Sequence, residues 1–119
     1  MVEVFRAAAV TQIDALETSL RELGTAPETW AARKDEARDI AHNLKGQGES
    51  FGYPLITAIG QSLLGFLSDL GEADARGVKI ALAHVTALRT VLDKDIRGAG
   101  GAAGAALVAR LEGLSRPQA

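Results

Sequence analysis

The stretch Ile40-Ala41-His42-Asn43-Leu44-Lys45-Gly46-Gln47-Gly48-Glu49-Ser50-Phe51-Gly52 sets Ile40, Leu44, Gly48 and Phe51 on one stripe, in steps of four, four and three. Trp30, Arg33 and Ala37 continue that stripe towards the N-terminus. Steps of three and four are the period of an α-helix, and no strand-like alternation competes with them. Thr25 or Thr29 would cap the start of this helix and Pro27 suits its first turn. Gly52-Tyr53-Pro54 ends it.

His42 lies two positions from both Ile40 and Leu44, which is about 200° of rotation on a helix. With Ile40 and Leu44 turned to a core, His42 faces outward, on a stripe with Arg38, Lys45, Gly46 and Glu49. The two glycines run against local preference, since each costs about 1 kcal/mol relative to alanine inside a helix. Gly48 falls on the core face, where it would let another helix approach closely. Gly46 falls one turn beyond His42 and leaves space beside the imidazole.

Breakers on either side mark out four more segments: Gly24 to Pro27, Gly71 to Gly77, and the Gly-rich run from Gly98 to Gly104. The first segment carries Phe5, Ala9, Ile13, Leu16, Leu20 and Leu23 on one helical face. The third, from Leu55 to Leu70, is apolar over more than one face and belongs at the centre of a bundle. The fourth carries Val78, Ala81, Val85, Leu88, Leu92 and Ile96; the fifth, shorter and weaker, carries Ala103, Leu107, Arg110 or Leu111, and Leu114. The predicted architecture is all-α: an antiparallel four-helix bundle with a short additional C-terminal helix. It forms a single domain over residues 1–119, with a frayed tail at about 115–119.

Composition agrees. The chain holds 22 alanines and three prolines, which favours helix over sheet. It has no cysteine, so disulfides, zinc-thiolate sites and a cysteine nucleophile are excluded. Thirteen Lys+Arg against fifteen Asp+Glu give a net charge of −2, without the basic excess of a nucleic-acid binder. No segment is long and apolar enough to span a membrane, and the opening Met-Val-Glu-Val-Phe-Arg does not read as a signal peptide. Cytoplasmic residence is the expectation.

An exposed imidazole with a lysine and a glycine one turn along suits phosphoryl transfer. A neutral ring nitrogen is a competent nucleophile near neutral pH. A phosphoryl group on it would carry close to two negative charges. Lys45 can reach its oxygens as a mobile point charge, and Gly46 admits the group together with a partner's active site. The stripe supplies neither a Mg²⁺ cage nor a nucleotide pocket, so this domain would carry the group and a partner would catalyse its movement. The competing explanation is a surface histidine with a lysine nearby and no chemistry.

His42-x-Leu-Lys45-Gly46, five residues and then Gly52, resembles the signature of histidine-containing phosphotransfer (HPt) domains, with Leu55 at the apolar position three residues later. Ala41 matches the small residue often found before the histidine. The resemblance also covers the helix before the motif and the two long helices after it. It implies that His42 is the phosphorylated histidine, that Lys45 steadies the phosphate, that Gly46 leaves room for the partner and that Gly52 closes the motif helix. The partners it implies are receiver domains of response regulators and of hybrid histidine kinases in bacterial two-component phosphorelays. Mg²⁺ is expected on the receiver and no cofactor on this chain, which would act as a monomer and not as a kinase. Some family members place Gln or Glu on the third helix, 22 residues after the histidine, against the imidazole; this chain has Leu64 there and Gln61 one turn earlier.

Other features carry less. His84 shares a stripe with Ile80, Ala87 and Val91 and reads as a structural or boundary residue. Gly98-Ala-Gly100-Gly-Ala-Ala103 fits a dinucleotide fingerprint only on paper, because a helix precedes it in place of a strand. The mixed charges from Arg33 to Asp39 read as a solvated face. Phe51 and Tyr53 read as core or rim. The rival function, from a different class, is a helical adaptor that binds a signalling partner without phosphoryl chemistry.

Overall fold

The computed structural model describes residues 2–23, 25, 27–70, 75–98 and 101–115. Five α-helices follow one another: α1 (Val2–Glu22), α2 (Trp30–Ser50), α3 (Pro54–Asp69), α4 (Ala75–Asp93) and α5 (Gly101–Ser115). α1 packs on α2 and α4, and α3 packs on α2 and α4, while among the described residues the backbones of the diagonal pairs stay apart. That closed ring of neighbours is a four-helix bundle. α5 lies outside it, against α3 and α4.

Side-chain bonds fix the antiparallel order. Gln12 donates to Gln47 and Ser19 to Glu36, so α1 and α2 run in opposite directions. Between α2 and α3, Lys34 reaches the Leu70 carbonyl while Thr57 reaches that of Lys45. Arg89 of α4 joins Glu17 and Asp14 of α1. The core follows the sequence periods. Phe5, Ala9, Ile13, Leu16, Leu20 and Leu23 are all buried, as are Ala37, Ala41, Leu44 and Gly48 of α2. α3 touches three helices, which accounts for apolar residues on more than one of its faces.

The C-terminus of α2 is closed by two bonds, from the Gly52 N–H to the Glu49 carbonyl (3.2 Å) and from the Tyr53 N–H to the Gly48 carbonyl (2.8 Å). This pattern requires a left-handed residue between them, and Gly52 has φ +87°. Tyr53 is buried against Phe5, and its hydroxyl donates to Asp95 just beyond α4.

Several boundaries differ from the sequence expectation. α2 is preceded by a 3₁₀ turn over Pro27–Thr29, and Thr29, though at the N-cap position, makes no side-chain capping bond. Thr25 bonds the Glu22 carbonyl, ending α1 in place of starting α2. α4 begins at Ala75 and α5 at Gly101, inside the two glycine-marked breaks. One glycine costs a helix about 1 kcal/mol, which packing of the adjacent turn readily outweighs. Ser115 closes α5, and the expected tail at 116–119 lies outside the described residues.

His84 is fully buried, on a second apolar face of α4 with Ile80, Ala87 and Val91. Its Nδ1 lies 2.8 Å from the Ile80 carbonyl and its Nε2 2.9 Å from the Ser62 hydroxyl. A carbonyl only accepts, so Nδ1 carries the proton and Ser62 donates to Nε2. Burial holds the pKa of His84 below its ordinary 6.5, against the opposing pull of the Ile80 carbonyl. The unfolded chain therefore takes up the extra proton first as pH falls. Stability should be complete above about pH 6.5 and drain away as pH drops towards the folded pKa, by at most about 1.4 kcal/mol per pH unit. Thermal melts between about pH 7.5 and 5 should show this decline, and His84→Gln should flatten it. Glu17, held low by Arg21 and Arg89, acts with the same sign only below its ordinary 4.5.

Candidate functional site

α2 carries His42 on its solvent face, with Asn43 and Gly46 exposed beside it and Lys45 half-buried one turn along. The face assignment follows from the packing: Ala37, Ala41, Leu44 and Gly48 turn inward, and Ala41 and Leu44 are completely covered. Nothing lies within 4 Å of where a Cβ on Gly46 would stand, so the surface next to His42 is open.

On the other side of His42 is a cleft of about 420 Å³, where the first half of α2 meets the second half of α3. Its walls are Asp35, Arg38, Asp39, His42, Leu64 and Ser68. Leu64 lines the same cleft as His42, so α3 contributes a hydrocarbon side chain to its wall. Ser68 spends its hydroxyl proton on the Leu64 carbonyl at 2.8 Å. Gln61 is exposed and is not part of the cleft wall. Among the described residues no side chain hydrogen-bonds to the His42 ring. Arg38 sits 3.9 Å from Asp35, and its Nε is buried without a hydrogen-bond partner among the described residues.

The motif turn is seated on α3 at very short range. A Cβ on Gly48 would fall 2.6 Å from the Thr57 hydroxyl and 2.7 Å from the Thr57 backbone N. A Cβ on Gly60 would fall 3.1 Å from the Ala41 carbonyl oxygen and 3.2 Å from the Lys45 N. Two glycines, one on each helix, thus set the α2–α3 distance beneath His42 and Lys45. The sequence marks Gly48 as a point of close approach but gives no sign of which residue approaches. Thr57 and Gly60 are supplied by the fold.

The site residues therefore gather as one exposed patch: His42, Lys45 and Gly46 on α2, bounded on one flank by the Arg38–Leu64 cleft. His84 is not part of it and is enclosed between α3 and α4. Among the described residues no group of three or more His, Cys, Asp or Glu side chains could hold a metal ion. No helix among them is long and apolar enough to cross a membrane.

Comparison with known proteins returns one finding: a family model described as Hpt domain matches residues 1–97. No curated protein and no solved structure matches the chain. The matched span takes in α1 to α4, the complete bundle, and stops before α5. A helical bundle, an outward histidine on its second helix and a family match over most of the chain converge: this protein belongs to the Hpt domain family.

Proposed function

We propose that His42 carries a phosphoryl group between receiver-domain aspartates in a phosphorelay. The family's activity is histidine phosphotransfer. The observation that supports its assignment to His42 is exposure: of the two histidines, His42 stands in solvent on an open helix face and His84 is 0% exposed. A receiver's aspartyl-phosphate must come within bonding distance of the accepting nitrogen, which a buried ring does not allow.

In the transfer, the unprotonated ring nitrogen of His42 attacks phosphorus. The N–P bond forms as the P–O bond to the aspartate breaks, and the carboxylate leaves with the bonding pair. The other ring nitrogen holds its proton during the attack and then releases it to solvent, which reaches the exposed ring. The reverse sequence returns the group to a second aspartate. Mg²⁺ and the catalytic machinery belong to the receiver; this chain supplies the nucleophile and its surroundings.

Charge decides where the phosphoryl group lies. The cleft beside His42 holds one guanidinium and two carboxylates, Asp35 and Asp39, which together disfavour a dianion. The opposite flank holds Lys45 and the open surface over Gly46, with Glu49 exposed one turn beyond Lys45. The phosphoryl oxygens therefore point along the helix towards Lys45. Its charge-assisted contact is worth about 1–2 kcal/mol, so Lys45→Ala should slow transfer about 5- to 30-fold without abolishing it. Docking, which precedes charge transfer, should be nearly unchanged; stopped-time labelling alongside a binding titration separates the two.

Incubation with a receiver domain charged by a labelled acyl phosphate tests the proposal. Label that survives base and is lost in acid supports phosphohistidine. Binding without label would reassign the protein as an adaptor.

A further inference from the structure

We infer that Thr57 of α3 is a positioning residue for Lys45, an inference that rests on the phosphocarrier reading. The Thr57 hydroxyl donates to the Lys45 carbonyl at 2.8 Å and accepts from the Glu49 backbone N–H at 2.9 Å. Those two groups are the ends of a single i→i+4 rung of α2. A side chain of the neighbouring helix thus serves both ends of a rung that a helix ordinarily closes by itself.

Gly60, three residues further along α3, meets the same residue. A Cβ there would stand 3.2 Å from the Lys45 N and 3.3 Å from its Cα. Thr57 and Gly60 share a face of α3, and together they bear on the N, Cα and carbonyl of Lys45. Gly48 makes the approach possible, because any side chain at that position would displace Thr57.

The hydroxyl is not needed to satisfy the backbone. Without it, the Lys45 carbonyl and Glu49 N–H can bond each other directly, as in any α-helix. What the hydroxyl adds is a fixed location for the Lys45 main chain relative to α3. The lysine ammonium ends a flexible four-carbon stem, so its reach is defined only as well as the Cα from which it springs. His42 lies one turn earlier on the same helix, and Lys45 must meet phosphoryl oxygens there in a narrow geometry. Thr57 acts on the transfer through Lys45 and touches no reacting atom.

Transfer rates from a receiver domain charged with labelled acyl phosphate are to be compared for the full chain, Thr57→Val, Thr57→Ser, Lys45→Ala and the Lys45→Ala/Thr57→Val double variant. Thr57→Val should slow transfer about 3- to 10-fold, while Thr57→Ser, which keeps the hydroxyl, should stay within about 2-fold of the parent. In the Lys45→Ala background Thr57→Val should add less than about 2-fold, because no ammonium remains to be placed. Transfer by Thr57→Val at the parental rate overturns the inference. So does equal slowing in both backgrounds, which would make Thr57 a general support of α2. Where Thr57→Val fails to melt cooperatively, Thr57→Ala enters the same cycle with the same expectations. A parent protein that takes no label overturns the phosphocarrier reading itself, and this inference with it; that failure is distinct because it appears before any variant is made.

Discussion

His42→Gln is expected to accept no phosphoryl group while melting within about 0.5 kcal/mol of the parent. The loss should be complete because the nucleophile itself is removed, and an amide nitrogen has no free lone pair with which to attack phosphorus. The stability change should be small because His42 is exposed at the edge of an open cleft. His84→Gln should show the reverse. Its ring is enclosed and bonded at both nitrogens, so replacing it should cost about 1–3 kcal/mol at neutral pH. Acceptance should nevertheless persist in the folded fraction. Label uptake and thermal melts on the two variants give opposite orderings, and that crossing separates loss of chemistry from loss of fold.

Gly46→Gln should also uncouple the two properties. The open space around residue 46 accommodates a side chain without any clash. Glutamine is the better helix former by about half to one kcal/mol, so the variant should melt at or above the parental temperature. Transfer should be weak or absent, because the new side chain stands one turn from His42 where the phosphoryl group and the receiver must enter. Gly48 shows that the two glycines are not equivalent. Any Cβ at 48 collides with the backbone of α3, whereas one at 46 meets nothing. Transfer at the parental rate by a stable Gly46→Gln protein would show that residue 46 does not govern access.

The bundle was legible because its helices bury one face each and that face repeats every three to four residues. The α1 stripe from Phe5 to Leu23 is buried throughout, and His42 turns outward as expected, although Ile40 is only half-buried and Ala41 takes the inward position in its place. Periodicity reports less where a helix is covered on two sides. α4 buries Val85, Leu88 and Leu92 on one face and Ile80, His84 and Val91 on another, so His84 becomes fully enclosed where its stripe alone left a boundary position open. Glycine misled at Gly77 and Gly104, which lie inside α4 and α5, where packing outweighs a local penalty of about 1 kcal/mol.

Of the proposed site, the common face of the α2 residues was readable from their spacing, since they share one helix. The contribution of α3 was not. Leu64 lines the cleft and Gln61 points to solvent, which only the rotation of α3 against α2 decides. Thr57 gave no signal, because a threonine in a helix is commonplace until the fold places its hydroxyl on a neighbouring rung. Arg38 was visible on the His42 stripe, but its buried Nε and its two carboxylate neighbours in the cleft arise from packing.

The most direct test is to locate the phosphoryl group. The protein is charged by a phosphorylated receiver domain, digested under alkaline conditions that preserve phosphohistidine, and the modified peptide is sequenced by mass spectrometry. The group should sit on His42, stable in base and labile in acid. Modification of His84, or label that base removes, as it would from an acyl phosphate on a carboxylate, would contradict the account.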